Sequence, residues 1–69
     1  MEAGYTRQHQ AAERVALRRW LRLHRIPPVS MGHEPSDTEQ LMKQVKEHSG
    51  DYRRIMFAAR MEVDRKKDR

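Results

Sequence analysis

Pro27 and Pro28 stand side by side near the middle of the chain, and whatever folds must fold around them. Proline lacks the amide hydrogen that a helix needs, and it bars helical geometry from the residue before it, here another proline. Any helix arriving from the N-terminal side must stop by about residue 26. Pro35 closes a turn-rich linker, PPVSMGHEP over residues 27–35, which holds all three prolines. A stretch of that length is an ordinary connection between two helices.

The first segment reads as a helix over about residues 6–25, with Thr6 as its N-cap. Ala12, Val15, Ala16, Trp20, Leu23 and Ile26 recur at helical spacing and form one apolar stripe. Leu17 and Leu21 extend that surface round one side. Arg7, Arg14, Arg18, Arg22 and Arg25 gather on the opposite side as a continuous ridge. Arg19 falls near the apolar stripe, where its stem can lie along the core and its head reach water.

Beyond the linker, Ser36 and Glu39 have the spacing of a capping box, and Asp37 adds negative charge to the first turn. Leu41, Met42, Val45, His48, Tyr52, Ile55, Met56, Ala59 and Val63 then share one face. Their phase survives Ser49-Gly50, which predicts a continuous or bent helix over about 36–66. A break at that point, with Ser49 or Asp51 capping a third helix, is the alternative. The basic tail, residues 65–69, is expected to fray.

These elements predict an all-α, single-domain antiparallel helical hairpin. A chain of 69 residues without cysteine has neither disulfides nor thiolate metal sites to reinforce a small core. Leu17 and Leu21 on one helix, and Phe57 and Met61 on the other, lie away from the main stripes. Apolar residues on two sides of each helix imply a second interface, so dimerisation into a four-helix bundle is expected.

Several functions find no support in the residues. No glycine loop cradles a phosphate, no serine sits in a nucleophile elbow, and the carboxylates alternate with bases as on solvated faces, so an enzyme is not expected. His9, His24, His33 and His48 have no metal-ligand spacing, and neither metal nor cofactor is expected. His48, within the apolar stripe, reads as a packed or interfacial imidazole. The apolar runs are too short to span a membrane, and MEAGYTRQHQ lacks the apolar centre of a secretory signal. Together with the absence of cysteine, this points to a cytoplasmic protein.

Charge carries the functional reading. Residues 1–26 hold six arginines against two glutamates, while residues 27–69 hold nine basic and eight acidic groups. The positive field belongs to the first helix, and its arginine ridge (Arg7, Arg14, Arg18, Arg22, Arg25) suits a DNA or RNA backbone. The stretch RRWLRLHRIPP, residues 18–28, resembles the recognition helix and proline turn of phage excisionase-type winged helices. The helix cap at Ser36 stands where that family has wing strands, so the resemblance implies only groove binding by the first helix. The rival reading is a protein-binding module, an inhibitor or adaptor. It would use Leu17, Trp20, Leu21, Phe57 and Met61 against an acidic or apolar surface.

Overall fold

Thr6 opens the first helix through a reciprocal cap. Its hydroxyl accepts the His9 amide at 3.3 Å, and His9 Nδ1 accepts the Thr6 amide at 2.9 Å. Histidine here does what glutamate or glutamine does in the usual capping box. The computed structural model describes residues 4–67, in which three helices follow in order: α1 (Arg7–Leu23), α2 (Asp37–His48) and α3 (Tyr52–Lys67). No strand occurs among the described residues. The tail expected to fray is helical as far as Lys67, and its last two positions lie outside the described residues.

α1 ends as the prolines require. The Ile26 amide bonds Leu21 O at 2.8 Å and the Arg25 amide bonds Arg22 O at 3.0 Å, the paired bonds of a Schellman motif. That motif needs a left-handed residue, and Arg25 supplies it at φ 60°. The linker then doubles back along α1. Gln44 pins it by donating to Pro27 O at 2.8 Å and accepting the Val29 amide at 2.9 Å. Arg14 holds its far end by donating from Nε to Gly32 O at 3.0 Å.

α2 does not start with the expected capping box. Ser36 is itself in the helical region and makes no side-chain cap bond. Asp37 instead turns its carboxylate back onto the linker, accepting the His33 and Glu34 amides at 3.1 and 3.0 Å.

The continuous helix over 36–66 is also overturned. Ser49 is extended, at φ −149° and ψ 136°, and its hydroxyl accepts the Asp51 amide at 3.0 Å. Asp51 O then accepts the first amides of α3, from Arg54 and Ile55. The break lets the two halves of one apolar stripe reach different sides of α1. His48, at the last turn before the break, is exposed rather than packed.

α1 is the central element, in contact with both others, whereas α2 and α3 scarcely meet. His9–Asp64 at 2.6 Å and Glu13–Arg60 at 3.7 Å show α1 and α3 running antiparallel. α2 begins beside Arg14, through Thr38, and runs back toward Pro27, through Gln44. Leu17, Leu21, Leu41 and Val45 are fully buried, with Trp20, Ile26, Met42, Tyr52, Ile55 and Met56 packed around them. Each such leucine contributes about 1.5–3 kcal/mol through burial.

This core corrects the expected face of α1. Its buried side is turned about a third of the way round the helix from the Ala12–Val15–Leu23 stripe, at 3.6 residues per turn. Leu17 and Leu21, expected at an interface, are the centre of the core. Val15 and Leu23 face solvent instead, Leu23 being 73% exposed.

Candidate nucleic-acid interface

The rotation of α1 decides which of its charges meet water. Its only carboxylate, Glu13, is 1% exposed and points inward. The solvent side of the helix therefore carries no acidic side chain. Arg7, Arg19 and Arg22 are exposed on it, Arg18 is half-buried, and Arg25 is exposed just past its end. Among the described residues none of these five forms an ion pair.

Arg14 leaves the expected ridge. It is buried beneath the linker, where its Nε donates to Gly32 O and its Nη1 donates to Thr38 Oγ1 at 2.9 Å and Gln10 Oε1 at 3.3 Å. Its three acceptors are neutral, and its work is to join α1, the linker and the start of α2. Arg19 takes its place on the open face. The sequence puts Arg19 at the edge of the core with its head in water, but the stripe beside it, through Val15 and Leu23, faces solvent.

Arg18, Arg19 and Arg22 surround Val15 and Leu23 in one shallow groove on α1. The Arg18 Nε is covered and has no acceptor. Such a donor is costly to leave unmet, and Arg18 lines the groove together with Arg19 and Arg22. The groove offers forked donors around a small aliphatic patch, a combination that can hold phosphate oxygens and touch sugar or a thymine methyl.

On the inward side, Glu13 is held by residues from two elements. The Tyr5 hydroxyl donates to Glu13 Oε1 at 2.6 Å, and Arg60 Nε lies 3.7 Å from Oε2. The Arg60 guanidinium also covers the Tyr5 ring, 4.9 Å from its centroid. Burial, and then the Glu13 carboxylate, push the Tyr5 phenol up to about 12.

The residues expected to form a protein interface are divided. Leu17 and Leu21 are internal. Trp20 is half-buried at the edge of the core and stacks on His24 with ring centroids 3.9 Å apart. Phe57 and Met61 are exposed on α3, at 61% and 46%. The histidines stay apart: His9 caps α1, His24 covers Trp20, and His33 and His48 are exposed. Among the described residues no cluster suits a metal ion, and no helix is long and apolar enough to cross a membrane.

No protein-family model matches the chain, and comparison with curated proteins and with solved structures finds no significant match.

Proposed function

We propose that this protein is a small non-enzymatic accessory factor that binds the backbone of nucleic acid through Arg7, Arg18, Arg19, Arg22 and Arg25. One observation carries the reading: these arginines share the open side of α1 and its end, while the helix's only carboxylate is turned into the fold. Like charges crowded together repel one another, and a polyanion relieves that repulsion while accepting forked hydrogen bonds. Such contacts set position and orientation on a duplex and carry no sequence information of their own.

The four-helix dimer has lost part of its basis. It rests on apolar residues facing two ways, and Leu17 and Leu21 are now accounted for within one chain. Of the four residues that argued for a second interface, Phe57 and Met61 remain exposed.

The test is fluorescence anisotropy of a labelled duplex across a salt series. Five phosphate contacts should make a fourfold rise in salt weaken binding by about two to three orders of magnitude. The Arg18→Glu/Arg22→Glu double variant should abolish binding while its circular dichroism stays unchanged. A duplex that fails to bind at low salt, or binds with no salt dependence, would sink the reading.

A further inference from the structure

Because α1 packs against both α2 and α3 while those two scarcely touch, a groove opens between them that shares no lining residue with the arginine groove of α1. Met42 from α2 and Met56 from α3 line it, and Tyr52 and Phe57 wall it. It is unlike the α1 face in being mainly apolar. Phe57, 61% exposed, presents a large apolar surface to water there. Methionine is flexible and polarizable, so a methionine-lined groove can mould itself to an inserted side chain.

Cations cluster at the Tyr52 end of the groove, while Glu39 borders its other end beside Met42. Lys46 of α2 lies 5.7 Å from the centroid of the Tyr52 ring, and Arg53 and Arg54 project from the first turn of α3. Neither arginine forms an ion pair among the described residues. Arg60, at the far end, is already committed to Glu13.

This charge pattern selects the occupant. A second copy of the chain docking by two-fold symmetry would set the same patch against itself, and among the described residues no carboxylate lines that patch to answer Arg53 and Arg54. Nucleic acid would meet the cations but bring no aliphatic side chain to fill the groove between Met42 and Met56. A helix with apolar anchors on one face and carboxylates beside them satisfies both features. From Tyr52 to Arg60 the groove is about 12 Å long at 1.5 Å per residue, room for anchors at i, i+3 and i+7.

We propose that the α2–α3 groove receives an acidic amphipathic helix of a partner protein, with apolar anchors on Met42, Met56 and Phe57 and carboxylates facing Lys46, Arg53 and Arg54. This surface is separate from the α1 ridge and independent of what that ridge binds. If both are used, the chain links a nucleic acid on one side to a protein on the other.

The probe is a fluorescein-labelled peptide of about four helical turns, with leucines at i, i+3 and i+7 flanked by glutamates, titrated with the full chain. Saturable binding in the micromolar range is expected, weakened about tenfold or more by Phe57→Asp and by Arg54→Glu. A peptide with lysine in place of the facing glutamates should recover binding to Arg54→Glu and bind the unaltered chain poorly. Both substituted side chains are exposed, and a melting curve confirms that each variant is folded; should Phe57→Asp fail to fold, Arg54→Glu and the charge swap decide alone.

Three results would overturn the proposal. The peptide could fail to saturate, or it could bind the folded variants as well as the unaltered chain. Light scattering could show a doubled mass that Phe57→Asp returns to one chain, which would give the groove to a second copy. Duplex binding lost in Arg54→Glu but kept in Arg18→Glu/Arg22→Glu would give it to nucleic acid.

Discussion

His9 Nε2 donates to Asp64 Oδ1 at 2.6 Å, tying the first turn of α1 to the last turns of α3. The Thr6 amide points at Nδ1, so the imidazole proton belongs on Nε2, facing the carboxylate. One ring thus closes a helix cap and a cross-helix bond. His9→Ala should cost about 1–2 kcal/mol, losing the cap and leaving the half-buried Thr6 amide unpaired. Asp64 is largely exposed, so Asp64→Ala should cost less than about 1 kcal/mol. Thermal unfolding of the two variants separates these effects, since about 1 kcal/mol moves the midpoint of so small a domain by roughly 4–8 °C. Equal losses would mean that the cap contributes nothing.

The two tyrosines should titrate in separate steps. Hydrogen bonding from Arg53 lowers the pKa of Tyr52, whereas burial and Glu13 raise that of Tyr5 to about 12. In the unfolded chain Tyr5 ionises near its ordinary value of 10.0. As pH rises from 10 toward 12 the unfolded state gives up this proton while the folded state keeps it, so stability falls across that window. Tyrosinate absorbance should show Tyr52 ionising first. Tyr5→Phe should remove the upper step and flatten the alkaline loss of stability.

Arg25 holds a left-handed conformation that a side chain resists and glycine does not. Arg25→Gly should therefore stabilise the fold by about 0.5–1 kcal/mol, because the Schellman bonds around it are backbone bonds and survive. The same change removes one guanidinium from the proposed interface. Its duplex affinity should fall, with the salt slope reduced by about one. Stability and binding moving in opposite directions would identify Arg25 as a residue retained for contact. A variant that binds unchanged would remove Arg25 from the interface.

Gly32 and Gly50 should respond differently to alanine. Gly32 has φ +75°, and an added Cβ would meet Arg18 Cδ at 2.9 Å. Arg18 can shift, but the backbone strain stays, so Gly32→Ala should cost about 1–2 kcal/mol. Gly50 has open space around it and no such φ. Gly50→Ala should change stability by less than about 0.5 kcal/mol and leave the helical content unchanged, as measured by denaturant titration and circular dichroism.

That contrast shows where the sequence is transparent and where it is not. Thr6, the proline pair and the stripe of Leu41, Val45, Ile55 and Ala59 declare themselves because caps, breakers and period are local signals. The break at Ser49 does not, since the apolar phase runs through it. The extended conformation there belongs to serine, and it is rewarded only when α2 and α3 pack on different sides of α1. The buried face of α1 was obscured by size and polarity. Two leucines bury more area than the alanines of the competing stripe, while buried His9, Glu13 and Arg14 interrupt the pattern that a helical wheel looks for. For the same reason the ridge is legible as a basic face but not in its membership, since the sequence puts Arg14 in it and Arg19 at the edge of the apolar stripe.

Arg14 and Arg22 therefore make the sharpest comparison among the arginines of α1. Arg14→Ala strips the donors from Gly32 O and Thr38 Oγ1, which lie where the linker crosses the helix. It should destabilise the chain by about 2–3 kcal/mol, the usual cost of breaking a buried, charge-assisted network. At temperatures where the variant is still folded, it should bind a duplex with the slope of the unaltered chain. Arg22→Ala should do the reverse: an unchanged melting temperature and a salt slope smaller by about one. Measuring melting and salt-dependent binding on the same two variants separates the arginine that builds the fold from the one that faces the ligand. If Arg14→Ala lowers the slope of the folded protein, or Arg22→Ala leaves it intact, the proposed face on α1 is drawn in the wrong place.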